Sequence, residues 1–180
     1  MTTNGKGFAV QDNWPQCFAL ILKEEGGYTN DPHDKGGMTN LGVTHIDWAA
    51  WVGHEPTEDE MRSLTPDMVM PLYKKRYWDV IQGDELPLGV DYSLLDFGVN
   101  SGTGRAAKHL QAILGVAQDG VIGPNTMNEI SRCDTVDLSG KICDDRLKYL
   151  QALSDWQYFG KGWGSRVVRV KEISAKMASS

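Results

Sequence analysis

Glu25-Gly26-Gly27-Tyr28-Thr29-Asn30-Asp31-Pro32-His33-Asp34-Lys35-Gly36-Gly37-Met38-Thr39-Asn40-Leu41-Gly42-Val43-Thr44 is the stretch on which the reading of this chain turns. Upstream of it, Asp12 and Asn13 suit a helix N-cap, Pro15 suits a first turn, and Cys17, Phe18, Leu20, Ile21 and Leu22 form an apolar face. Gly26-Gly27 stops that helix, so Glu25 stands in its last turn, at the negative end of the helix and next to a second acid, Glu24. Those are surroundings in which a carboxyl group keeps its proton, as a general acid must before passing it to a leaving oxygen. Glu25 therefore reads as the proton donor of a glycosidase.

Downstream, residues 30–34 are dense in turn formers, and Gly36-Gly37 leads into a short strand or hairpin through residues 38–44. Asp34 lies on the turn, nine residues past Glu25 (34 − 25). The chain can thus fold back and present both carboxylates to one cleft, with Thr39 and Thr44 offering hydroxyls to hold a water. In an inverting glycosidase the second carboxylate activates that water, at a spacing of about 6.5–9.5 Å from the acid. Asp31 competes with Asp34 but precedes Pro32 at the front of the turn and ranks below it.

The ordered series Glu, Gly-Gly-aromatic, Asp-Pro-x-Asp, Gly-Gly-x-Thr and Gly-Val-Thr resembles the signature of glycoside hydrolase family 108, the N-acetylmuramidases of phage endolysins and secretion-assisting muramidases. The resemblance runs over nearly the whole chain. It implies a mainly α, lysozyme-like two-lobed fold with one small β-hairpin at the cleft. It also implies Glu25 as the catalytic acid, with Asp34 and Thr39 completing the catalytic series and Thr44 a rival for the threonine. Tyr28 and Asn30, inside the motif, join Thr44 as sugar-binding candidates.

With 180 residues and 41% hydrophobic content, the chain suffices for one domain or two closely packed lobes. The expected division is residues 1–85, catalytic, and 86–180, a helical lobe packed into the same globule. The net charge of −6 argues against a nucleic-acid partner, which calls for a basic face. There is no charged start followed by an apolar run and no span-length apolar stretch. The expectation is a monomer without membrane insertion, made in the cytoplasm without a signal peptide. It would reach periplasmic peptidoglycan through a holin, lysis or another non-standard export route. Cys17, Cys133 and Cys143 cannot all pair, and the four histidines follow no ligand spacing, so neither metal nor cofactor is expected.

Helix starts follow at Thr44, Thr57 and Thr65, the last opening a helix through Tyr77 and Trp78. Ile46, Ala49 and Ala50 are expected to face the core. Tyr77 and Trp78 suit a core or the flat faces of sugars equally. Residues 91–101 form a helix with Leu94, Leu95 and Phe97 buried. Val99 is expected to be buried with them, and Asp96 and Asn100, one turn apart, are either a hydrogen-bonded network or, at Asn100, a sugar contact. Asp119-Gly-Val-Ile-Gly-Pro-Asn-Thr126 is a turn leading into a helix; in proteins of the resembled family it belongs to a wall-binding region. A helix is expected over roughly 138–159, a break at Gly160-Lys-Gly-Trp-Gly164, a last helix from Ser165, and a loose tail from Ala175. Trp163 is open to core or cleft.

The function these readings support is hydrolysis of the β-1,4 bond from N-acetylmuramic acid to N-acetylglucosamine. Three rivals stay beside it. A lytic transglycosylase needs no water-positioning partner, a wall-binding module cuts nothing, and a chitinase or chitosanase shares the paired-acid logic on another polymer.

Overall fold

The computed structural model describes residues 12–30 and 37–180. Among them are nine α-helices and a three-stranded antiparallel sheet of order β1-β2-β3. The mainly α, lysozyme-like expectation with a small β element holds. The contacts divide the chain at Arg76/Tyr77 rather than at 85/86, with the described residues before Pro15 grouped with Tyr77–Ser180.

The first unit, Pro15–Arg76, contains most of α1 (Trp14–Glu24), β1 (Thr29–Asn30), β2 (Met38–Asn40), β3 (Val43–Thr44), α2 (His45–Val52), α3 (Glu58–Arg62) and α4 (Pro66–Tyr73). Its threonine caps work as the sequence indicates. The hydroxyls of Thr44, Thr57 and Thr65 accept from the backbone N–H groups of Asp47, Glu60 and Met68, and Thr57 with Glu60 closes a full capping box. The core gathers Cys17, Phe18, Ile21, Val43, Trp48, Met61, Val69, Leu72 and Tyr73. Two expectations fail here. In α2 it is Trp48 that is buried, while Ile46 is 58% exposed, because an eight-residue helix apolar on several faces has no period to choose by. The helix opened by Thr65 does not run regularly to Trp78 either. Pro71 removes one ladder hydrogen bond inside α4, and the chain continues from Lys74 to Trp78 as a π turn.

The second unit is built on α5 (Val90–Ser101), whose residues Val90–Gly98 are all buried. Around it lie α6 (Thr103–Leu114), α7 (Pro124–Ile130), α8 (Thr135–Gln151) and α9 (Trp156–Ala178). Gly89, at φ +83°, starts α5 against α9, where a Cβ would meet the Ser174 carbonyl at 2.3 Å. Asp96, fully buried, accepts from Arg146 and, through two nitrogens at 2.8 and 3.0 Å, from Arg166. The network reading of Asp96 is therefore the correct one. Asn100 is exposed and accepts from the Ser101 hydroxyl at 3.1 Å. The helix expected over 138–159 ends at Gln151, and the break falls before Trp156 rather than at 160–164, so α9 runs through the glycines and on to Ala178 and the tail is largely helical as well. All three cysteines are free. None of the helices described is long and apolar enough to cross a membrane.

Asp91, in the first turn of α5, is 1% exposed and accepts from Asn13 Nδ2 and from the backbone N–H groups of Gly89 and Tyr92. Burial nonetheless pushes its carboxyl up to about 6. Between pH 4 and pH 6 the folded chain thus holds a proton that the unfolded chain releases. That stability is fully present below about pH 4 and is lost as pH rises through 6, by about 3 kcal/mol at most. Melting temperature followed by circular dichroism from pH 4 to 7 should show this decline, and Asp91→Asn should flatten it.

Candidate active site

Glu25 is the first residue past α1, its N–H still donating to the Ile21 carbonyl at 3.2 Å. The β2–β3 turn closes on it. Leu41 and Gly42 occupy the two central positions at φ +50° and +74°, both in the left-handed region that a two-residue hairpin turn requires. A methyl group placed on Gly42 would come within 3.0 Å of Glu25 Cγ and Oε2 and within 2.3 Å of the Tyr73 hydroxyl oxygen. Gly42 is therefore glycine for two reasons, its backbone angle and the space that Glu25 and Tyr73 occupy. Leu41 has no such freedom. Its strained backbone is held by the Tyr73 hydroxyl, which donates to the Leu41 carbonyl at 2.9 Å.

The strand register sorts the other candidates by face. Thr29 pairs with Thr39 and Thr39 with Thr44, so three threonines form one rung on the same side of the sheet. On the opposite side Val43 is buried, and Asn40 Nδ2 donates to the Met61 carbonyl at 2.8 Å. Thr44 gives its one hydroxyl proton to Asp47 Oδ2 at 3.0 Å while capping α2, and Arg76 of the π turn pairs with the other Asp47 oxygen. Among the described residues no hydrogen bond engages the Thr39 hydroxyl. Asn30 falls on the side opposite the threonines, with Tyr28. The Tyr28 hydroxyl donates to Glu58 at 3.0 Å, and its ring lies 4.0 Å under the Arg62 guanidinium. Partial desolvation, then the Glu58 carboxylate, hold that phenol above its ordinary value, while Arg62 and Tyr28 hold Glu58 below its own.

Asp34 and its competitor Asp31 lie outside the described residues. Tyr77 and Trp78 belong to the second unit. Trp78 is wholly buried there, its indole N–H donating to Asp84 at 2.7 Å and its ring 5.4 Å from that of Trp14. Of its two readings the core one is right, and it has no face left for a sugar. Tyr77 is half-buried.

The sequence reading missed Tyr73, Leu41 and the Asp47–Arg76 pair. Tyr73 reads as one more apolar position of α4, and nothing in its spacing aims the hydroxyl at residue 41. Within the same unit an apolar groove of about 450 Å³ is lined by Phe18, Leu22, Leu41 and Met70. Leu41 thus stands between an apolar wall on one side and the Glu25 turn on the other.

A glutamate directly after a helix, bordered by a β-hairpin turn in a mainly helical chain, fits a glycoside hydrolase of the lysozyme-like class. The family model described as Glycosyl hydrolase 108 matches residues 18–102, which include Glu25, the three strands and Tyr73. The solved structure titled "Structure of Brucella abortus SagA" is 38% identical, with a TM-score of 0.83 over 93% of this chain and 97% of that one. No curated protein sequence matches. The chain belongs to glycosyl hydrolase family 108 and is a peptidoglycan-acting glycoside hydrolase.

The turn should be intolerant of change in a defined way. Gly42→Ala adds both a clash and backbone strain, and urea unfolding should show a loss of about 1–3 kcal/mol. Tyr73→Phe removes only the bond to Leu41. It should cost about 1 kcal/mol in the same measurement while lowering the rate of wall hydrolysis more than that loss explains.

Proposed function

We propose that this protein is an N-acetylmuramidase, hydrolysing the β-1,4 bond between N-acetylmuramic acid and N-acetylglucosamine, with Glu25 as the general acid. The observation that carries the reading is the close approach of the Gly42 backbone to the Glu25 carboxyl inside the segment matched by the glycosidase family. A proton donor must meet the leaving oxygen in one geometry, and the hairpin turn restricts where this carboxyl can stand.

Glycosidic cleavage with inversion needs a second group that directs water to the opposite face of the sugar. Asp34 holds that role in this reading, with a threonine as its helper. The engagement of the Thr44 hydroxyl by Asp47 favours Thr39 as the one that binds the water. Glu25 protonates the departing oxygen as the glycosidic bond breaks. Water adds at the anomeric carbon and gives up its proton to the Asp34 carboxylate, leaving a reducing muramic-acid end. Tyr28, Asn30 and Tyr77 remain candidates for sugar contact, as does exposed Asn100. A lytic transglycosylase would share the acid but use the sugar's own hydroxyl in place of water, leaving an anhydro end.

Mass spectrometry of soluble products from purified peptidoglycan separates these outcomes. Reducing muramic-acid ends are expected, and Glu25→Gln should lower their formation by about 10²–10⁴-fold without altering the melting curve. Anhydro-muramic ends would replace the hydrolase with a transglycosylase. Full activity in Glu25→Gln would remove Glu25 from the mechanism. Asp34→Asn should also impair hydrolysis, to a smaller extent.

A further inference from the structure

Arg62, the last residue of α3, is tied to both chain segments that border Glu25. On one side is the stretch that leaves Glu25. Gly26 and Gly27 are exposed, and a Cβ on either would meet nothing within 4 Å, so no side chain anchors the backbone there. Tyr28 supplies the first anchor after them. Its ring lies 4.0 Å from the Arg62 guanidinium carbon, and its hydroxyl donates to Glu58 Oε1 at 3.0 Å. Arg62 donates to the same Glu58 oxygen, through Nε at 3.0 Å and Nη2 at 2.7 Å. Ring, carboxylate and guanidinium close on one another as a clamp.

On the other side is the end of β2. Asn40 Nδ2 donates to the Met61 carbonyl at 2.8 Å and reaches the Arg62 carbonyl at 3.4 Å. Asn40 directly precedes Leu41 and Gly42, the turn whose backbone approaches the Glu25 carboxyl. One short helix is therefore fastened both to the segment that leaves Glu25 and to the segment that closes on it. Helix α3 can act as a fixed point because Thr57 and Glu60 cap its start and Met61 is wholly buried. Fold stability does not account for the clamp. The Arg62 and Glu58 side chains are 56% and 49% exposed, and an exposed ion pair on a helix surface contributes little to folding.

We propose that Arg62 is a positioning residue for the Glu25 acid. Its side chain clamps Tyr28 and its backbone end is held by Asn40, so it fixes the two segments on either side of the Glu25 carboxyl relative to each other. Proton transfer to a leaving oxygen needs the donor within hydrogen-bond reach and correctly directed, and a misplacement of about 1 Å costs about a hundredfold in rate. The clamp acts on that alignment and touches no reacting atom. Asn40 lies on the face of the sheet opposite Thr39, so losing the clamp disturbs the acid rather than the threonine rung. The proposal rests on the reading of Glu25 as the general acid and adds to it a residue outside the helix end and the turn.

The test is steady-state cleavage of soluble, uncross-linked peptidoglycan strands by the full chain, with a melting curve for each variant and Glu25→Gln alongside. Arg62→Ala should lower kcat by about tenfold with KM unchanged. Its melting temperature should shift no more than that of Arg132→Ala, which opens the exposed pair with Glu129 and should keep the full rate. Arg62→Lys keeps a cation over the ring without the guanidinium fork and should fall between Arg62→Ala and the unmodified chain. Tyr28→Ala should reproduce the loss in kcat, and Tyr28→Ala with Arg62→Ala should cost no more than either alone, because both remove one clamp. An unchanged kcat in Arg62→Ala overturns the proposal, as does a raised KM at unchanged kcat, which makes Arg62 a sugar contact. Additive losses in the double variant overturn the clamp, and a melting temperature that falls with the rate makes Arg62 a structural residue only. If Glu25→Gln is inactive while Arg62→Ala keeps the full rate, the clamp alone fails. If Glu25→Gln is fully active, the acid reading fails and the clamp with it.

Discussion

The hydrogen bond from the Tyr73 hydroxyl to the Leu41 carbonyl is the constraint on which the candidate active site depends. A leucine in the left-handed region costs about 1–2 kcal/mol, and one hydrogen bond returns about 1 kcal/mol net. The turn is therefore near balance, and the buried ring of Tyr73 and the apolar groove around Leu41 tip it. Moving Tyr73 frees the turn, and with it the backbone that borders Glu25. The sheet, only two or three residues per strand, has too few ladder bonds to hold that position alone.

The threonine rung shows the same economy of parts. Thr44 ends β3 and caps α2 at once, and its partner Asp47 is held from the other side by Arg76. Arg76 comes from the π turn that follows Pro71, so an irregularity in one helix places the charge that fixes the start of another. The rung's middle member, Thr39, is left with its hydroxyl uncommitted among the described residues. That asymmetry between two threonines of similar sequence surroundings is a product of register and capping.

The second unit relies on a different device. Burying Asp96 at zero exposure is costly unless its oxygens are met, and Arg146 and Arg166, from α8 and α9, meet them. Loss of either arginine would leave part of the Asp96 carboxylate without its donors, so the ion cluster fixes which faces of the two helices turn toward α5. Asp91, on the same helix, has only neutral donors, and burial dominates its titration.

Local signals made much of this legible. The Thr44, Thr57 and Thr65 caps, the stop at Gly26-Gly27, the end of α5 and the start of α7 all depend on residues within one turn of each other, and the sequence carries that information directly. So did the family, because its motif is a run of neighbouring residues. The reading failed where a distant partner overrules local preference. Gly160-Lys-Gly-Trp-Gly164 looks like a break, yet α9 continues through it, with the Trp156 ring packed against Gly160 one turn on. Ile46 is exposed rather than in the core because α2 is too short for its period to show. Trp78 could serve core or cleft until Trp14 and Asp84 enclosed it. The sequence by itself determined the mainly helical class, the threonine caps, the glutamate after α1 and the family. Only the tertiary structure decided which hydroxyl holds the turn, that Arg76 reaches Asp47 and that Trp78 is core, because each of those depends on atoms brought together from positions far apart in the chain.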